Sequence, residues 1–243
     1  MSLDRLEPRS LPLSAVPALD AAEPHVWLMQ LRDLPVMSID RHASRAKRVR
    51  QQRMGQRFVL RLLLGAYLGV AGKRVVVERT DTGKPVLGQA FADSGLHFNL
   101  SHAGELFAVA LRRAGPIGID IEPRERRVRA AQMARRWFSS DEHRLIDELP
   151  ERQARTEFLR RWTAREAVIK AHGGRLGRHI ADVVPSPRDP DRLLRLPADW
   201  PACGEWNLRE IRGAPEAIGF LAATGRVDSV RGFRLNLPSA GDG

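Results

Sequence analysis

Ile117-Gly118-Ile119-Asp120-Ile121-Glu122 places two carboxylates two positions apart in a run that otherwise reads as a buried strand. Strand side chains repeat every two residues, so Asp120 and Glu122 project from one face, roughly 7 Å apart along the backbone. Two like charges in an apolar setting repel each other and lose hydration. A cation between them relieves both costs, and oxygen ligands suit a hard ion such as Mg²⁺. The plainer alternative is a strand end whose acids face water. Ala114-Gly115-Pro116 breaks the chain just before this strand, and a lobe boundary is expected there.

Downstream, a helix is expected over Val128–Phe138. Ser139-Ser140-Asp141-Glu142 has the spacing of a capping box, so a second helix starts there. A long helix follows from about Arg152 to His172 and stops at Gly173-Gly174. It carries Trp162-Thr163-Ala164-Arg165-Glu166-Ala167-Val168-Ile169-Lys170, with Glu166 and Lys170 one turn apart. These two form either a solvated ion pair or, functionally, a metal or proton ligand and a phosphate partner. Short strands are expected at Val183-Val184, Trp206–Ile211, Ala217–Ala223 and 232–237.

Upstream, Leu96–Leu100 and Leu106–Arg112 read as strands joined by Ser101-His102-Ala103-Gly104. Phe98-Asn99-Leu100-Ser101-His102 brings a hydroxyl and an imidazole to a strand exit. A nucleophilic Ser/His pair does not fit, because adjacent strand residues point to opposite faces and no nucleophile elbow surrounds them. His102 as a phosphate donor fits better, beside the alternatives of a self-satisfied turn and an ordinary exposed histidine. Gly83-Lys84-Pro85 lies in a turn, where Lys84 could hold an anion or be a plain turn lysine. A helix is expected over about 40–70, preceded by a strand at His25–Leu31, and a β-branched run occupies Val75–Val77. The helix offers Arg41, Arg45, Lys47, Arg48, Arg50, Arg53, Arg57 and Arg61 with no acid among them. Most of these form a solvated face; Arg57 and Arg61 adjoin the apolar stretch and are the better placed for a pocket.

The whole chain has 243 residues, enough for one large domain or two lobes. Its net charge of +11 implies a polyanionic partner: nucleic acid, an anionic membrane, a phosphorylated cofactor or an acidic protein. A single cysteine, Cys203, excludes an intramolecular disulfide and a cysteine metal cluster. Met1–Asp20 carries Pro and charge instead of an apolar core, so no signal peptide is expected. The apolar run Phe58–Ala71 is too short to span a bilayer and contains Arg61. A cytoplasmic protein is expected. There is no G-x-x-x-x-G-K-[ST], no G-x-G-x-x-G, and no helix-turn-helix, zinc-finger or RNP pattern. Helices and antiparallel strands without regular βαβ alternation give an α+β class. Residues 1–24 are expected to be loosely held, 25–115 to form one lobe, 116–237 a second, and 238–243 a disordered tail.

Taken in order, Gly83-Lys84-Pro85, Phe98–His102, Ile117–Glu122, Phe138–Glu142 and Trp162–Lys170 with Gly173-Gly174 resemble the Sfp-type 4′-phosphopantetheinyl transferases. The resemblance spans about half of the chain. It implies two similar α+β lobes packed as a pseudo-dimer, with coenzyme A in the cleft between them. It also implies transfer of the phosphopantetheine arm to a serine of an acyl or peptidyl carrier protein, releasing adenosine 3′,5′-bisphosphate. By position, Asp120, Glu122 and Glu166 look like the ligands of Mg²⁺ (or Mn²⁺). Lys170 looks like the cation on the pyrophosphate, and Ser101 and His102 look like phosphate contacts. Gly83, Lys84 and Pro85 look like the nucleotide-side contact, with Arg57 and Arg50 at the 3′-phosphate. Glu166 is the expected base, directly or through a metal-bound water, and Lys170 stabilises the departing phosphate.

Two departures from the family pattern stand out. Ala103 replaces a frequent second serine, and Arg165 replaces a frequent lysine before Glu166; Arg and Lys are not equivalent at a shaped phosphate site. The carrier implied by the family is acidic, which matches the positive charge. A monomer is expected, without membrane or nucleic-acid partners. The competing readings are a basic nucleic-acid-binding module built on 40–61 and a catalytically silent relative that binds coenzyme A.

Overall fold

The computed structural model describes residues 3–11, 13, 15–33, 44–189 and 191–236. In chain order the elements are β1 (Glu7–Ser10), β2 (His25–Gln30), α1 (Arg45–Leu68), β3 (Val77–Arg79), β4 (Pro85–Leu87), β5 (His97–Ala103), β6 (Leu106–Arg112) and β7 (Ile117–Pro123). There follow α2 (Ala130–Trp137), α3 (Ser140–Asp147), α4 (Glu151–His172), α5 (Leu176–His179), β8 (Val184–Pro185), β9 (Leu193–Arg195), β10 (Trp206–Glu210), β11 (Ala217–Thr224) and β12 (Arg231–Asn236). The class is α+β.

Two sheets lie back to back, each with a long helix on its outer face. The first has the order β1-β12-β2-β6-β5 and the second β10-β11-β7. The period-two alternation of the strands builds three apolar layers. Trp27 and Met29 of β2 and Phe107 and Val109 of β6 face α1, meeting Val59, Leu63 and Leu64. The intervening Val26, Leu28, Ala108 and Ala110 face the other sheet, where Ile117, Ile119, Ile121, Leu221 and Ala223 receive them. On the far side, Ile218, Phe220 and Ala222 pack under Phe158, Leu159 and Val168 of α4. The order of layers is therefore helix, sheet, sheet, helix.

The end of the chain returns to the first sheet. β12 pairs in parallel with β2, and β1 pairs in parallel with β12. Residues 231–236, within the expected second lobe of 116–237, thus complete the first sheet, while β7, β10 and β11 form the second. Among the described residues of the expected loose segment 1–24, several take fixed places in the fold. β1 lies on the sheet edge, Leu3 is buried, and the Leu3 N–H donates to Glu210 O at 2.9 Å. Such edge pairing is non-local and leaves no periodic signal in a four-residue strand.

Local signals fared better. Ser44 caps α1, its Oγ accepting from Lys47 N–H at 3.3 Å; the expected start at 40–43 lies outside the described residues. The capping box at α3 is formed, with Glu142 Oε2 accepting from Ser139 N–H at 3.2 Å and from its Oγ at 2.8 Å. Gly173, at φ 88°, ends α4 in the left-handed conformation a side chain disfavours. The β-branched run Val75–Val77 contributes only its last residue to β3. The tail at 238–243 lies outside the described residues.

Candidate active site

Gly118 decides where the site is built. A Cβ there would stand 2.0 Å from Ala167 O and 2.4 Å from Ala171 N, so α4 can rest directly on β7 only over a glycine. Ala167 and Ala171 take that contact, which leaves Glu166 and Lys170 beside Asp120 and Glu122, the next residues on the same face of β7. The reading of Asp120 and Glu122 as a same-face pair agrees with this packing.

Asp120 is buried, with 3% of its surface exposed. Its Oδ1 accepts from Lys170 Nζ at 2.6 Å and from Ser101 Oγ at 2.8 Å. Its Oδ2 is buried without a hydrogen-bond partner. Burial pushes the Asp120 carboxyl up, against the pull of Lys170 and Ser101. Glu166 is raised to about 7, chiefly by burial and then by the charge of Asp120, with Lys170 opposing and Glu122 adding. Glu122 is raised by burial while Arg126, bonded to its Oε1, pulls it down. Three carboxylates therefore feel one another's charge, as expected for a site that receives positive charge. They do not converge as a finished metal cage. Among the described residues no group of three His, Cys, Asp or Glu is gathered as a metal site. Lys170 and Arg126 lie against Asp120 and Glu122 instead, and Lys170 Nζ stands 3.9 Å from Glu166 Oε2.

Strand β5 supplies the floor. Ser101 and Asn99 are buried and point at the free edge of β7. Ile119 N–H donates to Asn99 Oδ1 at 3.1 Å, and Ile121 N–H donates to Ser101 Oγ at 3.3 Å. Side chains of one lobe thus replace a neighbouring strand for the other. Asn99 and Ser101, which a self-satisfied turn would keep for their own backbone, instead satisfy β7; two polar residues alternating inside an apolar strand are the sequence signal for this. His102 takes the opposite side of β5, with Phe98 and Leu100, and is exposed. It shares no hydrogen bond with the carboxylates among the described residues.

The remaining residues divide between two cavities. Thr82, Gly83, Lys84, Pro85, Asn99 and Lys170 line a pocket of about 220 Å³ that also touches Gly173 and Gly174. The Lys84 ammonium, at the wall of that pocket, is held by backbone carbonyls. Its Nζ donates to Lys170 O at 2.7 Å and to Ala171 O at 3.1 Å. Arg50 and Arg57 line a second cavity of about 1270 Å³ along α1, with Arg53, Arg61, Lys73 and the exposed apolar side chains Val49, Met54 and Phe58. This larger space belongs to α1, and neither Asp120 nor Glu166 lines it.

Arg165 is not at a phosphate site. It is fully buried inside the second lobe, where Nη2 donates to Glu142 Oε1 at 2.6 Å and Nε to Ile180 O at 3.1 Å. Its guanidinium lies 4.0 Å over the Phe138 ring. Arg161 joins Glu142 Oε1 at 3.1 Å. The departure at 165 therefore concerns the core, because helix periodicity turns residue 165 away from the face that carries 166 and 170. Ala103 is likewise buried, between the sheets.

Two family models match the chain. One described as the 4′-phosphopantetheinyl transferase superfamily matches residues 116–211, and one described as 4′-phosphopantetheinyl transferase, N-terminal, matches residues 27–113. The 4′-phosphopantetheinyl transferase HetI of Nostoc sp. is 32% identical over 216 residues, covering 84% of this chain and 88% of that protein. AcpT of Salmonella typhi is 38% identical over 47% of this chain and 56% of its own length. The transferase psf-1 of Bacillus pumilus is 32% identical over 51% of this chain and 52% of its own length.

Proposed function

The chain belongs to the 4′-phosphopantetheinyl transferase superfamily, and on that premise we propose that it transfers the phosphopantetheine arm of coenzyme A to a serine of an apo acyl or peptidyl carrier protein. The carrier serine oxygen attacks the β-phosphorus of coenzyme A, the bond to the bridging pyrophosphate oxygen breaks, and adenosine 3′,5′-bisphosphate leaves. The observation that carries the reading is the packing of α4 on Gly118, which sets Glu166 and Lys170 against Asp120.

Glu166, beside Asp120 and raised by burial when no metal is bound, is the residue placed to take the serine proton. Lys170 balances the charge that develops on the departing phosphate. Ser101 orients Asp120 through its hydroxyl. Arg57, with Arg50 on the same cavity wall, would take the 3′-phosphate, since guanidinium binds phosphate bidentately. His102 is the remaining phosphate contact of this reading, and the backbone of the Gly83–Pro85 turn is its nucleotide contact.

The donor set suits a hard divalent cation. Asp120 Oδ2 is buried without a partner, and Glu122 and Glu166 are both raised beside it. Asp120, Glu122 and Glu166 are the residues that would hold Mg²⁺ or Mn²⁺. Bound there, the metal would neutralise pyrophosphate charge. Both lobes reside in one chain, which supports a monomer, and the positive charge favours an acidic carrier. Among the described residues no helix is long and apolar enough to cross a membrane.

The test is a mass-shift assay with coenzyme A, Mg²⁺ and a panel of apo carriers. Gain of the arm's mass on at least one carrier is expected. No gain across the panel, in protein that binds coenzyme A, would identify a silent relative and overturn the proposal.

A further inference from the structure

Lys84 belongs to the first lobe, yet its ammonium ends on the last turn of α4 in the second. A helix leaves its final carbonyls without intrahelical partners. In α4, Ile169 O is satisfied by the Gly173 and Gly174 N–H groups, at 2.9 and 3.0 Å. The next two carbonyls, Lys170 O and Ala171 O, both receive Lys84 Nζ. A cation at a helix C-terminus also meets the negative end of the dipole.

The turn that presents Lys84 is itself fixed. Thr80 N–H donates to Lys84 O at 2.9 Å, Lys84 N–H donates to Thr80 Oγ1 at 3.1 Å, and Arg79 Nη1 donates to Gly83 O at 2.7 Å. One of the two acceptors belongs to Lys170, whose own ammonium lies on Asp120 Oδ1. A continuous chain of contacts thus runs from the turn at 80–84, through Lys84 and the α4 backbone, to the carboxylate cluster.

We propose that Lys84 is a positioning residue: it ties the first lobe to the C-terminus of α4 and so fixes Lys170 over Asp120, instead of binding a phosphate of the substrate. The proposal rests on the transferase reading for its kinetic consequences, but its structural claim stands apart from that reading. With the ammonium engaged by two carbonyls, little of its hydrogen-bonding capacity is left for an anion.

Lys84→Met removes the ammonium and keeps much of the side-chain length; Lys84→Arg keeps a donor cation. Two readouts decide. The first is hydrogen exchange at the Gly173 and Gly174 amides, which is expected to quicken by about tenfold or more in Lys84→Met and to recover in Lys84→Arg. The second is transfer kinetics per folded molecule: kcat is expected to fall about tenfold with KM for coenzyme A changed less than about threefold. Should Lys84→Met not fold, Lys84→Gln takes its place. Unchanged exchange at Gly173 and Gly174 overturns the proposal. So does a rise in KM with kcat preserved, which would make Lys84 a substrate contact. If the wild-type protein transfers nothing, the transferase reading fails, and exchange alone decides the role of Lys84.

Discussion

Lys170 Nζ lies 2.6 Å from Asp120 Oδ1 although the two residues are 50 positions apart. Asp120 has 5% of its side chain exposed and Lys170 29%, so the pair is largely withdrawn from water. Removing one member strands the other, which is costlier than removing both.

Lys170→Met is expected to destabilise the protein by about 2–4 kcal/mol at neutral pH, and Asp120→Asn/Lys170→Met by less than the two single changes added. Urea unfolding of the four proteins measures this. Additive losses would show that the contact carries no coupling. Both single variants should also lose transfer by about a hundredfold or more.

Glu166 makes stability depend on pH with a definite sign. Its carboxyl is raised from 4.5 to about 7 in the folded protein, chiefly by burial. Folding therefore gains from this group at pH below about 4.5, and the gain is lost as pH rises through about 7. In chelator-treated protein, Glu166→Gln should gain about 2–3 kcal/mol relative to wild type between pH 4.5 and 8. A difference that stays constant across that range would contradict the shift.

His25 acts in the opposite sense. It is buried in the first lobe, where its Nδ1 pairs with Tyr67 Oη at 2.7 Å, and burial lowers it from 6.5 to about 4. Its contribution is present above about pH 6.5 and is lost as pH falls through about 4, amounting to about 2–3 kcal/mol. Imidazole resonances should titrate near 4, and the acid limb of stability should be shallower in His25→Gln. A titration near 6.5 would remove the argument.

Arg165→Lys keeps the charge next to Glu142 and loses the geometry that reaches Ile180 O and covers Phe138. A loss of about 1–3 kcal/mol in unfolding free energy is expected, with KM for coenzyme A unchanged in the folded fraction. A weakened KM at full stability would return Arg165 to the substrate.

Arg57→Ala should raise KM for coenzyme A by about tenfold while leaving kcat within about threefold, because a 3′-phosphate contact binds ground and transition states alike. 3′-Dephospho-coenzyme A should show no such difference between the two proteins; if it does, Arg57 acts elsewhere.

Much of the fold was legible because its signals are local. The Asp120/Glu122 alternation set the strand faces of β7, the Ser139–Glu142 spacing set the start of α3, and Gly173 set the end of α4. Less was legible at the site. Helical spacing brought Glu166 and Lys170 together, but not the bond from Lys170 to Asp120, since both groups could equally have faced water. Lys84 and Arg165 are long flexible cations, and their sequence neighbourhoods do not say which carbonyl or carboxylate they reach.

By itself the sequence determined the long helices and the longer strands, the same-face placement of the acids and the family pattern, because these follow from backbone periodicity and short-range spacing. Tertiary structure alone decided that β12 and β1 complete the first sheet, that Asn99 and Ser101 satisfy the edge of β7, and that Lys84 caps α4. The reason is physical. Each of those contacts satisfies a backbone group left over at a strand edge or a helix end, and its partner is whichever residue the packing of the two lobes delivers there.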